Sequence, residues 1–572
     1  MAVQRIVIDP ITRIEGHLRI ELEADNGRIS NAWACTTQFR GIEKIVQGRD
    51  PRDAWALVQR ICGVCTGVHA IASIRAVEDA LACPVPRAAE LIRSLMMEMG
   101  TVQDHVIHFY HLHALDWVDV VSALKADPVQ TARLAASLSD WPTNSAAHFS
   151  AVRQKLQESV AGGQFSLFSN GYWGHPDYRL PPEANLMAVA HYLEALEWQR
   201  DVIRLQTIFG GKNPHPNFLV GGMACSINMD NQLTVNQVSL AQLEGMIQRA
   251  RAFVEQVYWP DLLAIASFYK EYADIGISSP HLMAVGEGGY SCAGMPKGAL
   301  KPGIVTDSDP TKLVAFDANR IAEYITSSWY DYPDGDKTGR HPWKGETNPH
   351  YTGPTPPYQH LSDSGKYTWC KAPRYDDQAM QVGPNARLLA GYAQGHPATV
   401  KELDAVLHKL GLKPAQLNST LGRTLARALE SLLMARRMTE TFDTFVAGIR
   451  QGDVSTFNPE RWEPGSWPKS AQGVGFVEAA RGTLSHWVQI ENRKIVRYEC
   501  VVPSTWNSSG RDPHGQMGPY EQALAGTGRH PLVDPQRPLE VLRTIHSFDP
   551  CQSCAVHLVD LTGRPMGEVM VR

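Results

Sequence analysis

Long apolar runs are absent from this chain of 572 residues. No stretch of about 18 apolar residues occurs, so we predict no transmembrane helix. The first residues lack the charged and then apolar pattern of a secretory signal, and we therefore expect any export to depend on another protein. Basic runs are absent too, and the net charge is −5, which argues against a nucleic-acid partner.

Cysteine is also scarce, since ten residues in 572 are too few for a disulfide scaffold. Six of them stand alone in the sequence, where a free cysteine usually acts as a small buried hydrophobe. The other four form two Cys-x-x-Cys pairs, Cys62 with Cys65 and Cys551 with Cys554, near opposite ends of the chain. The remaining composition, with 43% hydrophobic and 20% charged residues, is that of a globular protein.

Helical periodicity covers most of the chain, and strand patterns lie near both ends. The predicted helices run from Pro86 to about Leu124, from Pro181 to Gly210, over residues 236–270, and from a capping-box pattern at Thr399 to about Arg450. The predicted strands are residues 18–23 and 27–36, and a hairpin of His486–Glu491 and Lys494–Val502.

The segment from Asp331 to Gln378 holds seven prolines and predicts a long loop, of the kind that is functional or lies against a partner. Length alone suggests about four domains, but no linker or repeat divides the chain. The sequence therefore predicts one large α+β fold, mostly helical, with a core of long helices and small sheets near the N- and C-terminal parts.

The motif Cys62-Gly-Val-Cys65 is weak evidence when taken alone. Such a pair is redox-active in thioredoxin-like proteins, forms half of a zinc site, or has no function at all. A helical pattern follows it, and a helix N-terminus stabilises a thiolate, but no βαβ context supports a thioredoxin-like fold. If it meets the second pair, four thiolates converge on a metal, for which zinc or an iron–sulfur cluster would be the first choice. A shared metal site and separate structural roles both stay open at this point.

Further motifs accompany the two cysteine pairs. They are Arg13-Ile-Glu15-Gly-His17, Arg40-Gly-Ile-Glu43, Arg60-x-Cys62-Gly-Val-Cys65-x-x-x-His69, the segment His105–Val121, Arg481-Gly-x-Leu-x-His486-Trp487, Val502-Pro-Ser-Thr-Trp-Asn507 and Asp549–His557. With these motifs the chain resembles, over essentially its whole length, the large subunit of the nickel–iron (NiFe) hydrogenases, in their membrane-associated uptake group.

The resemblance implies a NiFe centre held by four thiolates. Cys62 and Cys551 would be terminal nickel ligands, and Cys65 and Cys554 would bridge nickel to an iron that carries carbon monoxide and cyanide. The implied activity is the reversible cleavage of H2 into protons and electrons, biased toward uptake. An open position between the metals would polarise H2, and a nearby base would take a proton.

The resemblance assigns Glu15 to proton transfer from a terminal cysteine. A carboxylate that is shielded from water beside a thiol has a raised pKa and so exchanges protons near neutrality. The residues alone allow another interpretation, in which Glu15 is a surface carboxylate of a strand and pairs with Arg13.

Three more catalytic residues follow from the resemblance. Asp104, Arg481 and Asp549 match residues that form a canopy over the two metals, where Arg481 presents a rigid positive fork and the carboxylates hold it. Ala480 departs from the family pattern, which has proline before this arginine, so a less rigid loop is expected. The resemblance places five further residues around the centre: His17, His69, Leu484, Pro503 and Ser504. Ser504 and Arg481 match the family positions that contact the iron-bound cyanide.

The resemblance also implies a small magnesium site made by Glu43, the backbone carbonyl of Cys500 and His557. An oxygen-rich, partly hydrated site suits Mg²⁺. From the residues alone, Glu43 is equally well explained as a charge on a helix surface.

His105, His108 and His111 recur on one face of a predicted helix. This arrangement is able to bind zinc, but we favour hydrogen-bonded core histidines.

Processing and partners follow from the same resemblance. A maturation endopeptidase would remove a propeptide of residues 558–572, leaving a single domain of residues 1–557 that ends at His557. No cysteine group beyond the site thiols has ferredoxin spacing, so we expect no iron–sulfur cluster in this chain and a separate iron–sulfur small subunit. In the family that subunit carries a twin-arginine signal, which implies a peripheral location on the periplasmic side of the cytoplasmic membrane and a membrane electron-acceptor subunit.

Three other functions compete with this one. They are a zinc-binding scaffold, a thiol–disulfide oxidoreductase that uses Cys62 and Cys65, and a quinone-binding subunit of a respiratory complex, which has a similar fold but no metal. The four site cysteines argue against the last.

Overall fold

Two long helices form the centre of the protein. In the computed structural model, helix Arg87–Ile107 packs along helix Thr420–Arg450. The structure describes residues 4–163, 168, 171–286, 300–355, 358–362 and 365–555, apart from the side chains of 554 and 555. Every residue from Thr420 to Leu432 is buried. A helix that is buried all round belongs to a core, and its charged residues must find partners inside the protein.

Shorter helices accompany this pair, and most of them bury apolar side chains in the same two core clusters. Their bounds are Ile42–Ile45, Ala54–Val58, Val68–Leu81, Val120–Ala123, Pro128–Leu138, Ala146–Ala161, Pro182–Val202, Arg204–Gly210, Gln237–Phe253, Trp259–Phe268, Pro384–Ala393, Pro397–Leu410, Pro503–Asn507, Pro519–Glu521, Leu539–His546 and Gln552–Ala555. The predicted long helices are therefore present, although π-helical turns at His108–His113 and Val254–Tyr258 interrupt two of them.

The N-terminal sheet consists of antiparallel strands Gln4–Ile8, Leu18–Asp25 and Arg28–Thr36. Its apolar face packs in a core cluster, and its polar face is covered as well. The backbone N–H of Leu361 donates to Glu21 Oε1 at 2.8 Å, and Arg19 donates to the carbonyl of Gln359 at 2.6 Å. Part of the predicted Asp331–Gln378 loop thus lies against this sheet of its own chain.

The C-terminal sheet contains the predicted hairpin, Gly482–Glu491 with Lys494–Val501, and one strand that the patterns missed, Ser470–Ala479. Glycines hide the alternation of that strand and let it approach helix Val68–Leu81 closely. A Cβ at Gly475 would lie 2.0 Å from the carbonyl oxygen of Ala72. The sheet is therefore fixed against the helix that follows Cys65.

Two smaller sheets lie between these regions, and the sequence patterns did not predict them. Their strands are Leu282–Ala284, Gly303–Val305 and Leu313–Val314 in one sheet, and Ile321–Tyr324 with Ala372–Tyr375 in the other. The last strand lies within the predicted loop, which is otherwise mostly irregular.

The predicted capping box at Thr399 is wrong. Helix Pro397–Leu410 begins earlier, and its N-cap is His396, whose ring accepts the Thr399 N–H. The imidazole takes the position that a serine or threonine usually fills.

The predicted fold class is confirmed by the mostly helical core and the sheets near both ends. In the described part of the chain, no helix combines the length and apolar character needed to cross a bilayer.

Candidate metal centre

The first cysteine pair lies between a short 3-10 turn, Gln59–Ile61, and helix Val68–Leu81. Cys62 has an extended backbone, and its sulfur accepts the N–H groups of Val64 and Cys65, each at 3.3 Å. Backbone N–H donors favour the charged form of a sulfur, so this segment is arranged locally for a thiolate.

The second pair is joined to the N-terminal region of the chain. Cys551 forms a parallel bridge with Glu15, and Gln552 N–H donates to the carbonyl of Glu15 at 2.8 Å. Gly16 permits this approach, because it has φ +78° and a Cβ there would lie 2.6 Å from the backbone nitrogen of Ser553. The close approach of the two backbones thus explains why the Arg13–His17 motif contains a glycine.

The two ends of the chain meet at their sulfur atoms. The Sγ atoms of Cys62 and Cys551 are 3.4 Å apart, and those of Cys62, Cys65 and Cys551 all lie within 4.8 Å of one another. All three residues are buried. Cys554 has its backbone in helix Gln552–Ala555, and its side chain lies outside the described residues. A buried set of sulfur donors suits a soft transition metal.

Glu15 lies beside this cluster. One carboxylate oxygen is 3.2 Å from the Cys551 sulfur and accepts the Ser553 N–H at 3.0 Å. Burial raises the pKa of Glu15, and the charge of Cys62 adds to the effect. The alternative pairing with Arg13 does not occur, because Arg13 binds Asp116 and the carbonyl of Leu112.

Arg481 is buried above the sulfurs between two carboxylates. It donates to Asp549 Oδ1 at 3.0 Å, to the Asp549 carbonyl at 3.1 Å and to Asp104 Oδ2 at 3.4 Å. Burial alone would lower the pKa of Arg481, but Asp549 and Asp104 raise it well above its ordinary value. Burial raises the pKa of Asp104 to about 7, although Arg481 acts in the opposite direction. The guanidinium is thus a fixed positive charge.

The remaining expected neighbours lie around the same cluster. Ser504 Oγ accepts the Cys551 N–H at 3.1 Å and follows Pro503 at the start of a short helix. Leu484 packs in the apolar cluster that contains Cys62, Cys65 and Cys551. His69 Nδ1 is 3.0 Å from His486 Nε2, and burial lowers the pKa of His69 to about 4, which keeps its ring neutral.

Sequence comparison decides the family. A model of the nickel-dependent hydrogenases matches residues 40–557, and a HoxL-like family model matches residues 5–39. The chain belongs to the nickel-dependent hydrogenase family.

Individual hydrogenases resemble it along their whole length. The uptake hydrogenase large subunit of Bradyrhizobium diazoefficiens is 49% identical, over 100% of this chain and 98% of the relative. The hydrogenase-1 large chain of Escherichia coli is 46% identical with the same coverage. A solved Ni-Fe-Se hydrogenase from Desulfovibrio vulgaris Hildenborough superimposes with a TM-score of 0.75 at 31% identity, covering 97% of this chain and 100% of that one.

Two of the three expected magnesium ligands of this hydrogenase chain are described. Glu43 lies on helix Ile42–Ile45, and Cys500 lies on strand Lys494–Val501. Burial and the Glu499 carboxylate raise the pKa of Glu43 to about 7, and burial, together with the charge of Glu43, raises the pKa of Cys500. The two residues are therefore neighbours, whereas His557 lies outside the described residues.

The histidines of the central helix bind separate partners rather than one metal. His105 Nε2 is 2.7 Å from Glu430, His108 Nε2 is 2.7 Å from the carbonyl of His546, and His111 Nε2 is 3.2 Å from the carbonyl of Tyr192. This is the hydrogen-bonded core arrangement that we favoured.

A second group of metal-ligand types, His113, Asp116 and His546, is bonded within itself. Both rings hydrogen-bond one Asp116 oxygen through Nδ1, and Arg13 binds the other oxygen. His546 Nε2 is bonded to the Thr12 carbonyl. The carboxylate lone pairs that a cation would need are already engaged.

Three buried charged residues behind the canopy were not predicted from the sequence: Arg387, Arg427 and Glu430. They lie on helices Pro384–Ala393 and Thr420–Arg450. In the sequence, these residues are recognisable only as charges within otherwise apolar helical segments. That pattern indicates buried partners but does not identify the site that the charges face.

Proposed function

We propose that this protein is the catalytic large subunit of an uptake hydrogenase, which splits H2 at a NiFe centre held by Cys62, Cys65, Cys551 and Cys554. The observation that carries the proposal is the meeting of three sulfur atoms from opposite ends of the chain within 4.8 Å, with the Glu15 carboxylate 3.2 Å from the Cys551 sulfur. The metal pair, when bound, supplies a soft redox-active centre that polarises dihydrogen.

The proton leaves through Glu15. The Cys551 sulfur lies 3.2 Å from Glu15 Oε2, so a proton on this sulfur passes directly to the carboxylate. Burial raises the pKa of this carboxylate, and a carboxylate with a raised pKa is a better acceptor for a proton that it must pass on. The Ser553 N–H bond keeps the carboxylate oriented toward the sulfur.

Arg481 provides positive charge where H2 is split. Its guanidinium is buried and held on two edges, by Asp549 and by Asp104, so it does not reorient during the reaction. We assign Arg481 and Ser504 to contacts with cyanide on iron. Ser504 accepts a bond from the Cys551 N–H and still has its hydroxyl proton to donate.

The remaining site residues complete the proposal. Glu43, the Cys500 carbonyl and His557 would hold Mg²⁺. His69, Leu484 and Pro503 would shape the pocket, and Asp104 and Asp549 would hold Arg481.

Electrons must leave through a partner. The sequence has no cysteine group of ferredoxin spacing besides the site thiols, which supports an iron–sulfur small subunit with a twin-arginine signal.

We further propose a membrane electron acceptor and a peripheral periplasmic location. We also propose endopeptidase cleavage after His557, which gives a mature domain of residues 1–557.

The test is co-purification of the chain with its partner, followed by nickel, iron and zinc analysis, infrared spectroscopy, intact mass and H2 oxidation. We expect nickel and iron, bands of metal-bound carbon monoxide and cyanide, H2-dependent dye reduction and a mass that ends at His557. Zinc without nickel would support the scaffold. Thiol–disulfide exchange that survives Cys551→Ala would support the redox alternative, and Arg572 still attached in active enzyme would exclude the cleavage.

A further inference from the structure

One buried arginine next to the canopy has no part in the mechanism above. Arg427 lies on helix Thr420–Arg450 with 2% of its surface exposed. Its guanidinium donates to the Ala480 carbonyl at 3.3 Å and the Ser547 carbonyl at 3.4 Å, and lies 3.6 Å from Asp549 Oδ2. It therefore contacts the residue before Arg481 and the carboxylate that holds Arg481.

Asp549 lies between two guanidinium groups. Its Oδ1 accepts from Arg481, and its Oδ2 faces Arg427. Asp549 also has φ +59°, a left-handed backbone that is uncommon outside glycine, although aspartate is among the residues that adopt it more readily. Arg427, on one side, and Arg481, on the other, hold its side chain. Loss of Arg427 would leave one edge of this carboxylate without a partner of opposite charge.

The backbone before Arg481 is held in the same way. Arg387 donates to the carbonyls of Ala479 and Ala480 at 2.9 and 3.2 Å, and Arg427 donates to Ala480 as well. Arg387 is itself fixed by two bonds of 2.5 Å to Glu430. Alanine at 480 leaves φ free where proline would fix it, so these bonds to the carbonyls restrain the segment.

From these contacts we propose that Arg427 is a positioning residue for Arg481. It aligns Arg481 over the cysteine cluster by fixing Asp549 and the Ala480 carbonyl, and it touches neither the sulfur atoms nor the substrate. The proposal rests on the function proposed above for its catalytic consequence, but its structural consequence stands on the contacts alone.

The test compares Arg427→Gln with Arg423→Gln in the nickel-loaded complex with the small subunit. Arg423 is a matched control: it is buried one turn earlier on the same helix and donates to the Ser547 hydroxyl, Gln381 and the Gly276 carbonyl. Both changes remove a buried arginine from the helix. Of these two arginines, it is Arg427 that bonds to the Ala480 carbonyl and pairs with Asp549.

We expect a crystal structure of Arg427→Gln to show the Arg481 guanidinium displaced or in more than one rotamer, while Arg423→Gln leaves it in place. Per nickel bound, kcat should fall about tenfold for Arg427→Gln with KM for H2 unchanged, because an interaction made in the transition state is weakened. Arg427→Lys should recover part of this loss, and it replaces the Gln variant if that variant does not fold.

A double-mutant cycle with Arg481→Lys completes the test. If Arg427 acts through Arg481, Arg427→Gln should cost less than twofold more in that background. The proposal would be overturned if Arg481 keeps its position in Arg427→Gln, or if Arg423→Gln displaces Arg481 equally. It would also be overturned if the kcat losses of Arg427→Gln and Arg481→Lys multiply fully in the double variant. A parent complex that oxidises no H2 would refute the proposed function, while the structures of the two variants would still decide the positioning.

Discussion

The two cysteine segments are built in opposite ways. Cys62 and Cys65 flank two exposed residues, and the Cys62 sulfur bonds to N–H groups only two and three residues away. Cys551 lies between buried residues, and its contacts come from Glu15 and Ser504, which are distant in the sequence. The N–H donors of the Cys62 sulfur are thus local, whereas Cys551 is held by residues from distant parts of the chain.

From this difference we infer an order of assembly. A segment that depends on local bonds forms with little loop-closure entropy, whereas the second must bring Cys551 to the N-terminal sheet across most of the chain. The second segment is therefore the sensitive half of the centre. Changes near it should affect metal retention more than matched changes near Cys62.

The largest expected effect is that of Cys551→Ala. Removing this sulfur takes away a donor from the long-range half of the site, and we expect stable nickel binding to be lost. Nickel in the purified complex, measured by plasma mass spectrometry, is the readout. Cys225→Ala, a half-buried cysteine outside the cluster, should retain nickel. A parental nickel content in Cys551→Ala would contradict the assignment.

Glu15→Gln should leave nickel bound but lower turnover. The amide keeps the shape and an acceptor for the Ser553 N–H, but it cannot carry the proton, so kcat should fall by about 10²-fold or more. H/D exchange under D2 together with nickel content is the measurement. Glu23→Gln, on strand Leu18–Asp25, is the control. Exchange at the parental rate would remove the role given to Glu15.

The helical core could be predicted from the sequence, because local periodicity reports helices such as Arg87–Ile107 directly. The strand Ser470–Ala479 was missed since its glycines break the pattern that burial normally imposes. In the site, the residue types were visible, but the contact of Cys62 with Cys551 is a property of tertiary packing. No local rule brings them together, and only the resemblance to a family predicted it.

The role of Arg427 could not be predicted from the sequence. Charge within an apolar helix indicates a buried partner, but the partner, Asp549, lies far along the sequence. Ala480 was expected to loosen the loop, and the structure instead shows its carbonyl bound by two arginines.

Ser504→Ala should have a smaller effect. The change leaves the buried Cys551 N–H without an acceptor, which costs about 1–3 kcal/mol and should lower the melting temperature and the rate of nickel incorporation. The matched change near the first segment is Thr66→Ala, which removes the acceptor of the half-buried His215 N–H. Water replaces that bond, so the loss should be smaller. Equal losses would contradict the proposed asymmetry.

The smallest effect concerns pH. Glu521 accepts bonds from Ala34 and Tyr367 and so joins the N-terminal sheet to the C-terminal part of the chain. Burial raises the pKa of Glu521 to about 7. The folded state keeps this proton while the unfolded state releases it at the lower ordinary pKa, so this group's contribution to stability decreases as pH rises from about 4.5 to 7.

Glu521→Gln should remove that decrease. Between pH 5 and 7.5 the variant should gain about 1–2 kcal/mol relative to the parent, seen in paired calorimetric scans of the purified complex. Glu478→Gln is not a suitable control because it breaks the Arg387 network, whereas the exposed Glu244→Gln should follow the parent. A constant difference between Glu521→Gln and the parent over this range would contradict the pKa shift.

Nickel X-ray absorption on the active complex would show directly whether the two cysteine pairs hold the metal. We expect a nickel shell of four sulfur atoms with an iron neighbour, reduced by one sulfur in any Cys551→Ala protein that still holds nickel. A shell of nitrogen and oxygen atoms, or the absence of nickel from active protein, would contradict it.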